Sequence, residues 1–200
     1  RTQDQPIAGG RYVLNQAGGT ISGDSGFIAG GSSATVVNAG DIAGTFAGTI
    51  VKYGVTLVVG AGIAMSAGGT VANQFGGTIS GISYGINING AAGTVANAGL
   101  IIASGATLSR AVALLDGGYL SNASTGVISS GGNGNAVRVQ GAAGTIINAG
   151  TLVDNFAGRS ALALQVGGWI SNAAGGLIQG GAWNGVYGTG GAVTVVNAGT

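Results

Sequence analysis

Carboxylates are the main candidates for acid–base chemistry in this 200-residue sequence, because the chain contains no His and no Cys. All five acidic residues are aspartates, namely Asp4, Asp24, Asp41, Asp116 and Asp154. Glycosidases and lyases need clustered carboxylates at the reacting carbon. The last four aspartates instead stand at four different distances from the repeated asparagines described below. We therefore expect no catalytic residues and predict that the chain is not an enzyme.

Composition excludes several other kinds of site. Without Cys and His there is no zinc site of the usual kind, no thiol nucleophile and no Ser-His-Asp triad. The six Lys and Arg residues are scattered and the formal net charge is +1. No basic stripe is therefore available to neutralise nucleic-acid phosphates. We expect no metal, no cofactor and no nucleic-acid partner.

One asparagine recurs along the whole chain, always with an aliphatic residue two positions before it. It occurs eight times, at successive spacings of 23, 35, 24, 25, 26, 24 and 25 residues. The eight positions are Asn15, Asn38, Asn73, Asn97, Asn122, Asn148, Asn172 and Asn197. A period of this length is typical of solenoid proteins, in which each repeat packs only against its neighbours.

Two kinds of unit alternate, so that the larger repeat is about 50 residues long. One kind continues as N-x-x-x-G-x-I, as in NQFGGTIS, and the other continues as NAG. The single spacing of 35 residues indicates an irregular insertion within residues 44–66. Apart from this insertion, the repeats predict that residues 1–200 form a single solenoid domain.

Each unit contains short β-branched runs separated by Gly, which predict strands rather than helices. The stretch TVANQFGGTISGISYGINING, for example, holds three such runs. Gly at this density would cost a helix about 1 kcal/mol per residue. Three short strands and about 25 residues per turn predict an all-β fold, a right-handed parallel β-helix (β-solenoid) of about eight turns.

Strand alternation places the repeated asparagine and the aliphatic residue two positions before it on the inner face. We predict that the asparagine side chains bond the corner backbone and one another, forming a structural ladder. The residue three positions before each asparagine then faces outward. It is Thr in the NAG units and aromatic at Tyr12, Tyr119 and Trp169, which are candidate surface contacts. Lys52 and Tyr53, in the insertion, are further candidates because function concentrates in irregular loops.

Units such as VVNAGDI, VANQFGGTISG and IINAGTLV resemble passenger repeats of bacterial type V autotransporters and related filamentous-haemagglutinin-like adhesins, over essentially the whole chain. The resemblance implies a right-handed β-helix stalk at the bacterial cell surface or outside the cell. It implies adhesion, aggregation or biofilm contacts, with a protein or glycan of a host or neighbouring cell as partner, or self-association. It also implies export and membrane attachment through a C-terminal β-barrel. This sequence has neither that barrel nor a signal peptide, so we expect a fragment of a longer chain.

Two alternative functions stay open on the sequence. The first is a self-assembling extracellular filament subunit, which the apolar outward residues Val37, Ile147 and Val196 and the open strand edges at both ends favour. The second is a carbohydrate-binding or carbohydrate-active β-helix, which fold analogy and the aromatic row favour.

Overall fold

The structure is a computed structural model that describes residues 10–46, 48–52, 55–106 and 109–200. These residues form strands and turns without a helix. Three parallel sheets stack as a β-solenoid of about seven turns, with about 25 residues per turn. The predicted all-β parallel β-helix is therefore confirmed.

Each turn contributes one strand to each sheet. The first sheet, here called the asparagine sheet, has eight strands, and each strand ends at one of the repeated asparagines. Its strands are β1 (Arg11–Asn15), β4 (Ala34–Asn38), β9 (Gly69–Asn73), β12 (Gly93–Asn97), β15 (Gly118–Asn122), β18 (Gly144–Asn148), β21 (Gly168–Asn172) and β24 (Val193–Asn197).

The other two sheets have seven strands each. The second sheet consists of β2 (Thr20–Gly23), β5 (Asp41–Gly44), β10 (Thr78–Gly81), β13 (Leu100–Ala103), β16 (Val127–Ser130), β19 (Thr151–Asp154) and β22 (Leu177–Gln179). The third consists of β3 (Phe27–Ala29), β8 (Ala61–Met65), β11 (Tyr84–Ile88), β14 (Arg110–Leu114), β17 (Val137–Val139), β20 (Leu162–Leu164) and β23 (Val186–Gly188).

The solenoid has about seven turns, whereas the repeats predict about eight. The eight equivalent strands of the asparagine sheet are separated by seven steps, and each step from one strand to the next is one turn. At about 4.8 Å between neighbouring strands, seven turns give a rod about 34 Å long. The right-handed winding stays a prediction from the strong preference of parallel crossovers for that hand.

The core consists of aliphatic side chains stacked in columns, one residue per turn. In β4, Ala34, Val36 and Asn38 are buried while Thr35 and Val37 are half-buried, which confirms the predicted alternation. The column of the asparagine sheet contains Val36, Val71, Val95, Leu120, Ile146 and Ile170, all fully buried. Burial of such a side chain contributes about 1.5–3 kcal/mol, so every turn adds a similar increment of stability.

The segment for which the spacing predicts an insertion contains an antiparallel hairpin. Its strands are β6 (Gly48–Lys52) and β7 (Val55–Val59), which pair with each other and belong to none of the three parallel sheets. Gly60 returns the chain to β8 with φ +89°, and a Cβ there would collide with the carbonyl oxygen of Phe46. Only glycine fits this return point without strain.

Candidate functional site

The repeated asparagines form one continuous ladder of side-chain hydrogen bonds along the rod. The Nδ2 of each asparagine donates to the Oδ1 of the asparagine in the next turn, at 2.8–2.9 Å, in seven successive bonds. All except Asn197, in the last strand, are at least 95% buried. Their amides are satisfied inside the solenoid and are not available to an external ligand, so these residues act in the architecture.

The two kinds of unit satisfy the same amide in different ways. In the N-x-x-x-G units, Nδ2 also donates to the carbonyl oxygen of the glycine four residues later, as from Asn122 to Gly126 at 3.1 Å. In the NAG units the acceptor is the glycine two residues later, as from Asn97 to Gly99 at 3.0 Å. Corners of two lengths therefore alternate without interrupting the ladder.

The outward residues three positions before each asparagine form one row on the asparagine sheet. The strand register pairs Tyr119 with Thr145 and Thr145 with Trp169, so the two aromatic residues lie two turns apart. Tyr12 is at the other end of the same row, with three threonines between it and Tyr119. Tyr119 and Trp169 are each 38% exposed, and Tyr12 is 62% exposed. The three candidates thus share one face of the asparagine sheet.

The candidates in the insertion are separate from this row. Lys52 is the last residue of β6, in the antiparallel hairpin. Tyr53 lies outside the described residues.

The four aspartates that the structure describes are not brought together into a shared site. Asp4 lies outside the described residues, Asp41 begins β5, and Asp154 ends β19. Within the ranges described above, no group of three or more His, Cys, Asp or Glu side chains could hold a metal ion.

Asp154 differs from the other described aspartates because it is 1% exposed. Its Oδ1 accepts a hydrogen bond from the backbone N–H of Phe156 at 3.1 Å. Its Oδ2 is buried and finds no hydrogen-bond partner in the part of the chain that the structure describes. Burial raises the pKa of this carboxyl to about 6, and the Phe156 N–H and the charge of Arg159 only partly oppose that rise.

A groove of about 250 Å³ lies on the outer face of the third sheet, on the side of the molecule that sequence reasoning did not select. In the strand register Arg138 lies opposite Ala163, and Ala163 lies opposite Tyr187. The small Ala163 side chain thus separates a cationic residue from an aromatic one, two turns or about 10 Å apart. Arg159 and Trp183 line the groove from the segments that precede β20 and β23.

Polar side chains hold the groove in shape. The Nε of Arg138 donates to Oε1 of Gln140 at 2.9 Å, and its Nη2 donates to Oε1 of Gln165 at 2.8 Å. The side-chain amide of Asn135, a further lining residue, donates to the carbonyl oxygen of Ser160 at 2.7 Å. These bonds fix the guanidinium and the adjacent amide before any ligand arrives.

Positive charge is concentrated on this face. Three of the six Lys and Arg residues of the sequence lie here, on or just before successive strands of the third sheet: Arg110, Arg138 and Arg159. Burial lowers the pKa of the Arg138 guanidinium, and the neighbouring charges of Arg110 and Arg159 lower it further. Arg110 packs 5.9 Å from the ring centre of Tyr84 and donates to its hydroxyl at 3.1 Å. Stacking on an aromatic ring offsets part of the cost of holding like charges close together.

One sequence signal could have indicated this groove. Arg138 and Tyr187 both stand ten positions before a repeated asparagine, and Ala163 stands nine positions before one. Counting backward from the asparagines therefore nearly aligns all three. Arg159 and Trp183 lie in irregular segments and have no such signal.

Comparisons of the sequence with protein-family models, with curated proteins and with solved structures gave no match. The described part of the chain also contains no helix that is long and apolar enough to cross a membrane.

Proposed function

We propose that this chain is a stalk segment of a surface-displayed bacterial passenger protein, which mediates adhesion, aggregation or biofilm contacts. The observation that carries the proposal is the continuous asparagine ladder. The same buried amide closes every turn, whatever residues the outer face carries. A rod built in this way lengthens by adding turns. Its buried residues stabilise the fold, so the residues on its outer surface can vary.

The outer face supports the adhesive half of the proposal. Large aromatic side chains project from two different sheets, Trp169 from the asparagine sheet and Tyr187 from the third sheet. Exposed aromatic residues on a rigid support are typical of contact surfaces. The partner that we propose is a protein or glycan of a host or neighbouring cell, at the bacterial surface or outside the cell.

The proposal includes no enzymatic activity and no cofactor. The four aspartates among the described residues occupy separate positions, whereas glycoside hydrolysis needs a pair of carboxylates on either side of one bond.

The test is adhesion of coated particles. Polystyrene beads that carry the purified chain are expected to resist shear on bacterial or epithelial cell layers, compared with beads that carry albumin at equal density. Retention no better than that of the albumin beads would contradict the adhesive function. Circular dichroism of the purified chain before coating establishes that folded protein is applied to the beads.

Self-assembly into a filament is the second candidate, because the outward side chains of Val37 and Ile147, in interior strands of the asparagine sheet, are apolar and only half-buried. Small-angle scattering over a wide range of protein concentrations tests it directly. Growth of long rods with increasing concentration would favour the filament, and a constant molecular mass would exclude it.

A further inference from the structure

We propose that the groove on the outer face of the third sheet binds an acidic sugar residue of a surface glycan, with its carboxylate on Arg138 and Arg159 and its ring against Trp183 and Tyr187. This acidic glycan would be the partner of the proposed adhesive surface. The proposal rests on the proposed function only in assigning the glycan to a cell surface.

The charge of the groove calls for an anionic ligand. Arg138 and Arg159 lie close enough for the charge of Arg159 to disfavour protonation of Arg138. Asp154 is the acidic residue that Arg159 influences, but it is buried inside the solenoid and is not among the groove residues. A ligand carboxylate would therefore supply the countercharge that the groove lacks.

Hydrogen-bond donors remain free for that carboxylate. A guanidinium has five N–H donors. Within the described residues Arg138 uses its Nε and Nη2 on glutamine side chains, and Arg159 uses its Nε on Asn133 at 2.6 Å. The Nη1 groups of both residues have no partner there. Charge-assisted bonds from arginine to carboxylate are among the strong hydrogen bonds in proteins.

The aromatic residues provide a surface for a sugar ring. Trp183 is 63% exposed and Tyr187 is 44% exposed, and both line the groove next to the arginines. Aromatic side chains combine an apolar face with a polar edge, which suits a ring with C–H groups on its face and hydroxyls at its rim. A free inorganic anion has no apolar surface that could pack against these rings.

The size of the groove agrees with one sugar residue rather than a large ligand. Its volume of about 250 Å³ is just below the range of about 300–1,000 Å³ that is usual for drug-sized ligands. We therefore infer that a single uronic-acid residue occupies the groove and that the rest of the glycan extends along the rod.

Calorimetric titration of the 200-residue chain with trigalacturonate tests the proposal. Neutral galactotriose serves as the uncharged sugar, sodium sulfate as the inorganic anion, and penta-aspartate as an acidic peptide. We expect saturable binding of trigalacturonate alone. Arg159→Gln, at an exposed position, and Trp183→Ala should each weaken it by about tenfold or more. Arg138→Lys, which keeps the charge but not the guanidinium fork, should weaken it to a smaller extent.

Matched controls exist on another face of the rod. Arg11→Gln, on the asparagine sheet, and Phe75→Ala, at the corner that follows β9, remove a cationic and an exposed aromatic residue that do not line the groove, and both should leave trigalacturonate binding unchanged. Denaturation midpoints of all variants are measured first, so that loss of binding in Arg159→Gln with an unchanged midpoint reports on the groove.

Four outcomes overturn the proposal: no binding of trigalacturonate, equal binding of galactotriose, equal binding of sulfate, or preferential binding of penta-aspartate. The adhesion test separates this failure from failure of the proposed function. Adherent beads that carry a chain without saturable trigalacturonate binding would reject the groove but keep the adhesin. Saturable trigalacturonate binding without bead adhesion would keep the groove but reject the adhesin.

Discussion

The Nδ2 of Asn97 donates to the Oδ1 of Asn122 at 2.9 Å, in the next turn of the solenoid. The Oδ1 of Asn97 in turn accepts from the Nδ2 of Asn73 in the previous turn, also at 2.9 Å. Each amide is thus a donor in one direction along the rod and an acceptor in the other. This polarity means that removing one asparagine affects the turns on both sides of it.

The first prediction concerns Asn97→Ala. The substitution leaves the buried Oδ1 of Asn122 without its donor and opens a small cavity, so we expect the free energy of unfolding to fall by about 2–4 kcal/mol. Chemical denaturation followed by circular dichroism measures the change. Asn184→Ala, at an exposed position, is the control and should change stability by less than about 0.5 kcal/mol. Equal effects of the two variants would show that the ladder contributes nothing.

The second prediction concerns the corner glycines. A Cβ on Gly126 would collide with the Oδ1 of Asn122 and would lie 2.7 Å from the carbonyl oxygen of Asn97. Gly126→Ala should therefore displace the ladder and cost about 2–3 kcal/mol. Gly131 is the matched control, because a Cβ there meets nothing closer than 3.6 Å. Gly131→Ala should leave stability unchanged or raise it by up to about 1 kcal/mol. Denaturation midpoints that fall equally in both variants would contradict the collision argument.

The repeated asparagine made most of the fold predictable from sequence. An inward amide in a strand needs a partner in every turn, so its spacing measures the length of one turn, and strand alternation then assigns the residues around it to the inner or outer face. The hairpin of β6 and β7 was visible only as an unusual spacing, because its strands pair with each other rather than with a repeat.

Only part of the groove was predictable in the same way, because counting back from the asparagines nearly aligns Arg138, Ala163 and Tyr187. Arg138 and Tyr187 come together only through pairing with Ala163, and the corner lengths that set this register differ between units. Arg159 and Trp183 come from irregular segments whose course no periodic pattern describes. Sequence reasoning therefore selected the aromatic row on the asparagine sheet, where alternation alone fixes the positions.

The third prediction tests that aromatic row. Four of its eight positions are Thr in the NAG units, so replacing both Tyr119 and Trp169 by Thr makes these turns resemble their neighbours. Because Thr also favours strands, we expect unfolding free energy to change by less than about 1 kcal/mol. Retention of coated beads on cell layers should fall if these residues are contacts, as we expect. Undiminished retention would show that the aromatic side chains serve only the strands.

The fourth prediction is that acid stabilises this protein between pH 7 and pH 4. The pKa of Asp154 is about 6 in the folded chain, above its ordinary value of 3.8, because burial disfavours the charged form. The folded state therefore binds a proton more tightly than the unfolded state. Stability then rises as the pH falls through 6 and levels off below about 4. One pKa unit corresponds to about 1.4 kcal/mol, and solvent screening reduces the total, so we expect a gain on the order of 1–2 kcal/mol.

Denaturation curves at pH 7, 6, 5 and 4 measure this gain, and the composition keeps the test simple, because the chain has no His, no Glu and only five Asp. Asp154→Asn keeps the shape of the side chain without the charge, so its stability should be nearly constant over this range. Asp41→Asn, at an exposed position, should retain the pH dependence of the unmodified chain. If the Asp154→Asn variant kept the full acid stabilisation, groups other than the Asp154 carboxyl would be responsible for the pH dependence. The unpaired Oδ2 of Asp154 would then not destabilise the folded state at neutral pH.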